Sequence, residues 1–334
     1  MATLSALYPT LADFVKSTNP DQSIAQIIGL LNQTNEVIDD MVWKEGNLPT
    51  GHRATIQTGL PTATFRKLNG GVMPSKGRTA QIDFSCAMLE QFLKVDVDLA
   101  KLNGNSAAFM MTQAAAHLEA MSQKFSSTLF YGNESTTPEE FTGLSNFYND
   151  QNAESGCNIL TNVATPDATD NASMWLICWG DNIHGIYPKG SVAGLQRKDM
   201  GEQLVQNSDG SMYKALVDHF KWDCGLAVND WRYAVRINID AEDLTKNASS
   251  GPDLLDLMAQ AVDLIPNIGA GRPVFYANRT VRGFLRRQIT NKIAASTLSL
   301  EQITRPNGAY QHVPMFDGIP VKRCDALLNT EAGL

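Results

Sequence analysis

Between Gly46 and Ile82 the chain contains no Asp and no Glu, while Arg53, Arg66, Lys67, Lys76 and Arg78 are all basic. The formal net charge of the whole chain is −8, so the residues outside this window sum to −13. The window is rich in turn chemistry, TGLPT and LNGGVMPSKG, where Gly supplies positive φ and Pro fixes φ. Its other pieces, RATIQT, TATFRKL and GRTAQIDFS, alternate polar and apolar residues with the period of a β-strand. Together they predict a two- or three-stranded extended hairpin. A segment with so few apolar anchors cannot enclose a core, and an isolated hairpin is marginal in water. It must be stabilised from outside itself. Its basic residues suit phosphate or an acidic protein surface; complementary acidic charge is already present in every copy of the chain, so the economical partner is another copy. The five basic residues are the candidate inter-subunit contacts.

Composition enters as a bound. A chain of 334 residues, 43% hydrophobic, is too long for one small core and predicts two, or one with large extensions. Cys86, Cys157, Cys178, Cys224 and Cys324 show no CxxC pair and predict reduced, mostly buried thiols in a cytosolic chain. No run approaches the ~18 apolar residues of a membrane span, and MATLSALYPTLADF lacks the basic start of a signal peptide, so no membrane partner is expected. An acidic total argues against a general nucleic-acid binder, whose affinity rests on many Lys and Arg contacts to phosphate.

The remaining elements follow from periodicity. NPDQSIAQIIGLLNQTNEVIDDMVW predicts a helix, broken near Gly29 and Asn32–Asn35. SCAMLEQFLKVDVDLAKLN, residues 85–103, predicts a strand or short helix. Asn105–Tyr131 predicts the longest helix, about 40 Å, with a stripe of Met111, Ala115, Leu118, Met121, Phe125 and Leu129 and a stop at Gly132. TNVATPDATDNAS is a polar linker. SMWLICWGDNIHGIYPKG predicts strand, turn and strand; Met174, Leu176 and Cys178 alternate with Trp175, Ile177 and Trp179, so the first strand is apolar on both faces and central. Further strands are expected around Tyr213–Trp222 and Cys224–Ile239, with a turn at Asn207–Gly210 and core anchors at Trp222 and Trp231. PDLLDLMAQAVDLIPN is an amphipathic helix, RPVFYANRTVRGFLRRQITNKI is strand, turn and helix, and MFDGIPVKRCDAL is a closing strand.

No catalytic constellation emerges. None of His52, His117, His184, His219 and His312 has a His or Cys at i+3 or i+4; His219 and Cys224 are five apart with no second pair. There is no GxGxxG, no GxxxxGK[ST] and no GxSxG, and Gly269-Ala270-Gly271 follows a helix rather than a strand. Catalytic, cofactor and metal assignments are therefore none, and no enzyme is expected. Arg279, Arg282, Arg286 and Arg287 cluster around one helix, read as a solvated face paired with acidic residues, with a nucleic-acid contact as the alternative.

Longer strings carry a resemblance. EGNLPTGHRATIQTGLPTATFRKLN, LNGNSAAFMMTQAAAHLEAM, FYGNESTTPEEFTGLSNFY, WGDNIHGIYPKGSVAGL and DWRYAVRINI resemble segments of the major capsid proteins of tailed bacteriophages, in particular short-tailed phages of the epsilon-fifteen type. The resemblance spans about Leu11 to Val321. It implies an α+β, Hong Kong 97-type capsid fold: residues 1–46 as N-terminal arm, 47–85 as extended loop lying across an adjacent subunit, 86–159 and 313–334 as a peripheral domain with a long spine helix, and 160–312 as an axial domain. The function it implies is self-assembly, as hexamers and pentamers, into an icosahedral shell around packaged double-stranded DNA, held on the inner face without sequence specificity. The expected location is the virion, after assembly in the host cytoplasm. Scaffolding, portal and decoration proteins are the expected further partners. An encapsulin-type cellular compartment is the alternative. Some members of the fold join subunits by Lys–Asn isopeptide bonds. Lys67, Lys76 and Asn69 lie in the loop, but no Glu is placed to activate a Lys, and no crosslinking is expected.

Overall fold

The computed structural model describes residues 33–102, 106–162, 169–206, 210–245, 251–291, 298–304 and 310–334. A helical turn α1 (Val37–Asp40) and strand β1 (Trp43–Glu45) lead to β2 (Gly51–Gly59) and the 19-residue β3 (Arg78–Asp96). Helices α2 (Val97–Lys101), α3 (Ser106–Tyr131) and α4 (Leu144–Phe147) follow. Next come strands β4 (Ile159–Thr161), β5 (Asn171–Gly180), β6 (Ile183–Tyr187), β7 (Gln196–Gln206), β8 (Met212–Val228) and β9 (Ala234–Asp240). Helix α5 (Leu254–Leu264), strand β10 (Gly271–Ala277), helix α6 (Arg279–Asn291) and strands β11 (Leu298–Thr304), β12 (Tyr310–Phe316) and β13 (Ile319–Arg323) complete the chain.

These strands form two sheets. One runs β1-β6-β8-β3-β2, with β7 also on β8; the other runs β11-β12-β13-β10-β5-β9-β4. β5 explains why there are two cores. Its pleat sends Trp175, Ile177 and Trp179 into one core and Ala172, Met174 and Leu176 into the other. The first core is shared with α3, β3 and β8, where Phe125 stacks on Trp222 at 4.4 Å and Trp43 lies 5.8 Å from both. The second is roofed by α5 and α6. Asp253 caps α5 by accepting from the N–H groups of Leu255 and Asp256, one residue after the Pro252 expected at its start.

Two polar clusters tie α1 and the segment after β13 onto this body. Asp40 accepts from the Tyr276 hydroxyl at 2.8 Å and from Lys322 at 2.5 Å, and Trp179 donates to the same hydroxyl at 2.9 Å. Burial, then Asp40, raises the Tyr276 phenol well above its ordinary pKa. Near the C-terminus, Glu331 bonds Arg236, Ser173 and Tyr131 together.

Several expectations change on contact with the structure. TATFRKL is not a strand, so the hairpin has two strands, because residues 60–77 find no partner strand among the described residues. The strands at 171–187 do not pair with each other: β5 and β6 belong to different sheets, and the chain crosses between layers at their turn. β8 continues unbroken from Met212 to Val228, and β7, unpredicted, pairs with it. α3 turns Phe109, Met110, Ala114 and Met121 inward, while Met111 is 70% and Leu118 38% exposed. The buried stripe is thus rotated by about one residue over the first half of the helix, to face β3. Trp222 is buried as expected, whereas Trp231 is only half-buried. Sheet hydrogen bonding also runs between segments on either side of residues 159/160 and 312/313. β6, β7 and β8 join β3's sheet, while β13 pairs in parallel with β10. Of the helix expected over residues 19–43, α1 is present and the part before residue 33 lies outside the described residues.

Candidate inter-subunit arm

The basic hairpin is one half of a continuous strand. Residues 78–85 of β3 pair with β2, from Gly51↔Ser85 to Gly59↔Arg78, with a bulge between Gln57 and Gly59. Residues 86–96 of the same strand pair with β8, from Cys86↔Gly225 to Asp96↔Ala215. Nineteen residues at ~3.3 Å make a strand of about 60 Å. The arm is therefore a stiff extension of the body sheet rather than a loop hung from it.

Its root is tightly packed. A Cβ on Gly51 would lie 1.9 Å from the Phe84 carbonyl oxygen, so no side chain fits where β2 meets β3. Phe84 is buried, its ring 6.3 Å from that of Phe147, and Ser85 donates to Glu134 at 2.7 Å. Asn47 reads the backbone of Arg53 through both ends of its amide, at 2.7 and 2.8 Å. Beyond the root, no residue from Thr55 to Asp83 is buried. Leu60, Phe65, Leu68 and Met73 are each more than 80% exposed. Ser75 closes the loop by accepting from the Thr62 N–H and donating to its carbonyl. At the tip, Gly70 N–H bonds Lys67 O at 3.0 Å around Asn69, whose φ of 63° is the positive value such a turn needs.

The five predicted basic residues divide. Arg53 reaches across the strand pair to Asp83 with two parallel bonds, Nε–Oδ1 at 2.5 Å and Nη2–Oδ2 at 2.6 Å. That bond raises the Arg53 pKa and lowers the Asp83 pKa. Arg53 is thus paired within its own chain, by the first acid beyond the window. Arg66, Lys67, Lys76 and Arg78 are exposed, and no salt bridge holds them among the described residues. They share the arm's surface with the exposed apolar side chains.

The root also holds a histidine pair that no sequence spacing reveals. His52 of β2 and His184 of β6 meet edge to face at 5.9 Å, each with a buried Nδ1 that has no partner. Burial, then Lys44 and His52, pushes His184 down to about 4. Between pH ~6.5 and about 4 the unfolded chain binds a proton that the folded chain refuses. Stability is therefore full above that window and falls as pH drops through it. Urea unfolding across pH 4–7 should show this loss, and His184→Gln should flatten it; an unchanged slope in the variant would assign the loss to other groups.

Comparison with known proteins gives the family. The model of the major capsid protein GP7 family matches residues 19–334. The chain belongs to that family. The solved structure of bacteriophage epsilon15 matches with 33% identity and a TM-score of 0.78, covering 100% of this chain and 99% of that one. Weaker likenesses are the bacteriophage JBD30 capsid (9% identity, TM-score 0.49, 89% and 92% covered) and the SrpI encapsulin of Synechococcus elongatus PCC 7942 (11%, 0.42, 70% and 96%). No curated protein matches the chain. The fold is the Hong Kong 97-type capsid fold. This GP7-family protein is a structural subunit of a phage capsid shell, and its place is the virion capsid. The encapsulin alternative is not favoured.

Proposed function

We propose that copies of this chain assemble as hexamers and pentamers into an icosahedral shell, with residues 60–77 of each copy seated on a neighbour. The observation that carries the reading is the arm itself. Its residues bury nothing in their own chain, yet they present Leu60, Phe65, Leu68 and Met73 beside four exposed cations. Apolar surface of this kind marks an interaction site, and the neighbour's net acidity supplies the complement. In this reading the six-stranded sheet with α3 is the peripheral body and the seven-stranded sheet is the axial one. The shell encloses double-stranded DNA against a wall whose net negative charge keeps it from holding the polymer tightly. Assembly takes place in the host cytoplasm, with scaffolding, portal and decoration proteins as further partners.

Arg66→Glu, Lys67→Glu and Lys76→Glu in one chain should lower the yield of shells, counted by electron microscopy, at least about tenfold, because like charges facing each other oppose docking. The circular dichroism of the dissociated subunit should not change. Normal shell yield would refute the proposed role of these residues.

A further inference from the structure

α5 and α6 roof the same face of the seven-stranded sheet but cover opposite halves of it. α5 packs on β9, and α6 packs on β10 and β13. Their outer faces differ completely in charge. α5 and its cap carry Asp253, Asp256 and Asp263 with no Lys or Arg; α6 carries Arg279, Arg282, Arg286 and Arg287 with no Asp or Glu.

Helix stability accounts for only part of this. Asp253 and Asp256 sit at the N-terminus of α5, where negative charge is favoured, but Asp263 occupies the last turn, where it is not. Arg279 and Arg282 occupy the first turn of α6, where the helix dipole opposes cations. The acidic pairing expected for the arginine cluster is not found for three of its members: among the described residues no salt bridge holds Arg279, Arg282 or Arg287. Arg282 keeps a buried Nε without a partner.

The two faces also match in spacing. Arg279 and Arg286 are exposed and seven residues apart on one face of α6. Asp256 and Asp263 are exposed and seven residues apart on one face of α5. At 1.5 Å per residue, each pair spans about 10 Å. A head-to-tail ring needs two different, mutually complementary patches on one chain, and the exposed faces of α5 and α6 are such a pair.

We propose that the arginine face of α6 on one copy docks on the acidic face of α5 on the next copy around a ring; this rests on the shell reading above. A nucleic acid is the poorer occupant, because it would meet the acids of α5 beside the arginines and would leave their equal spacing without a use.

The test uses the full chain under conditions where the unsubstituted protein forms shells. Arg279→Glu with Arg286→Glu should cut shell yield at least about tenfold, as should Asp256→Lys with Asp263→Lys. All four positions are exposed, so each subunit should stay folded by circular dichroism. A chain carrying all four substitutions has the two faces exchanged in sign and should regain shells. Failure of that chain to assemble, or normal yield from either double variant, would overturn the pairing. Normal shells that retain less DNA after the arginine reversal alone would overturn it in favour of nucleic acid. Absence of shells from the unsubstituted chain would instead refute the assembly reading on which the pairing rests.

Discussion

Glu331→Ala should lower the unfolding free energy by about 3–5 kcal/mol. Arg236 is 5% and Glu331 6% exposed, so neither charge is screened by water. The guanidinium gives Nη2 to Glu331 at 2.6 Å, Nε to the Ser173 hydroxyl at 3.0 Å and Nη1 to the Tyr148 carbonyl at 2.9 Å, and it lies 5.5 Å over the Trp175 ring. Ser173 and Tyr131 donate to the two Glu331 oxygens, and burial, then Glu331, pushes the Tyr131 phenol up. Removing the carboxylate strands a cation in the interior and leaves two hydroxyls without an acceptor. Tyr131 ends α3, while Ser173 and Arg236 lie on β5 and β9, so the loss falls where the long helix meets the seven-stranded sheet. Urea unfolding followed by tryptophan fluorescence gives the number. Replacing both partners, Arg236→Met with Glu331→Leu, should recover most of it, because the cost comes from an uncompensated charge rather than from a missing attraction. A loss below about 1 kcal/mol for Glu331→Ala would mean that the pair is screened like one on the surface.

That cluster marks a boundary of what the sequence could reveal. Glu331 and Arg236 are 95 residues apart, and no local pattern joins them. The same holds for His52 and His184, which meet only because β2 and β6 converge at the arm root. Where one strand or helix carries its own periodic signal, the reading succeeded. The two-faced apolar run of β5 announces a strand between two cores, and the uninterrupted α3 announces a spine. β7 was missed because QRKDMGEQLVQ is exposed on both faces, so no alternation was imposed on it. The face of α3 was misjudged because Met and Ala lie nearly all round its first half, and β3 alone decides which of them turn inward. The arm was legible as a charge-segregated, turn-rich window, but the window closed one residue before Asp83, the acid that neutralises Arg53. The fold was thus readable from local period and from resemblance. The contacts that join distant segments were not.

Excising residues 60–77 separates the arm's two roles, folding and assembly. The two strands end in register at Gly59↔Arg78, so an Asn-Gly turn can replace the excised loop and close the hairpin as a type I′ turn. None of the removed residues is buried, so the subunit should lose no stability. The shorter loop should add up to about 2 kcal/mol through reduced closure entropy. Shells, however, should be lost altogether, because Phe65, Leu68, Met73 and three of the free cations go with the loop. The contrast is the informative result: a subunit as stable as before, or more so, that no longer assembles would show that these residues act only between copies. An excised chain that unfolds would show the loop to be part of the subunit's own structure. One that still closes shells would move the essential contact off the arm tip, to the stiff base of the hairpin or to the opposed faces of α5 and α6.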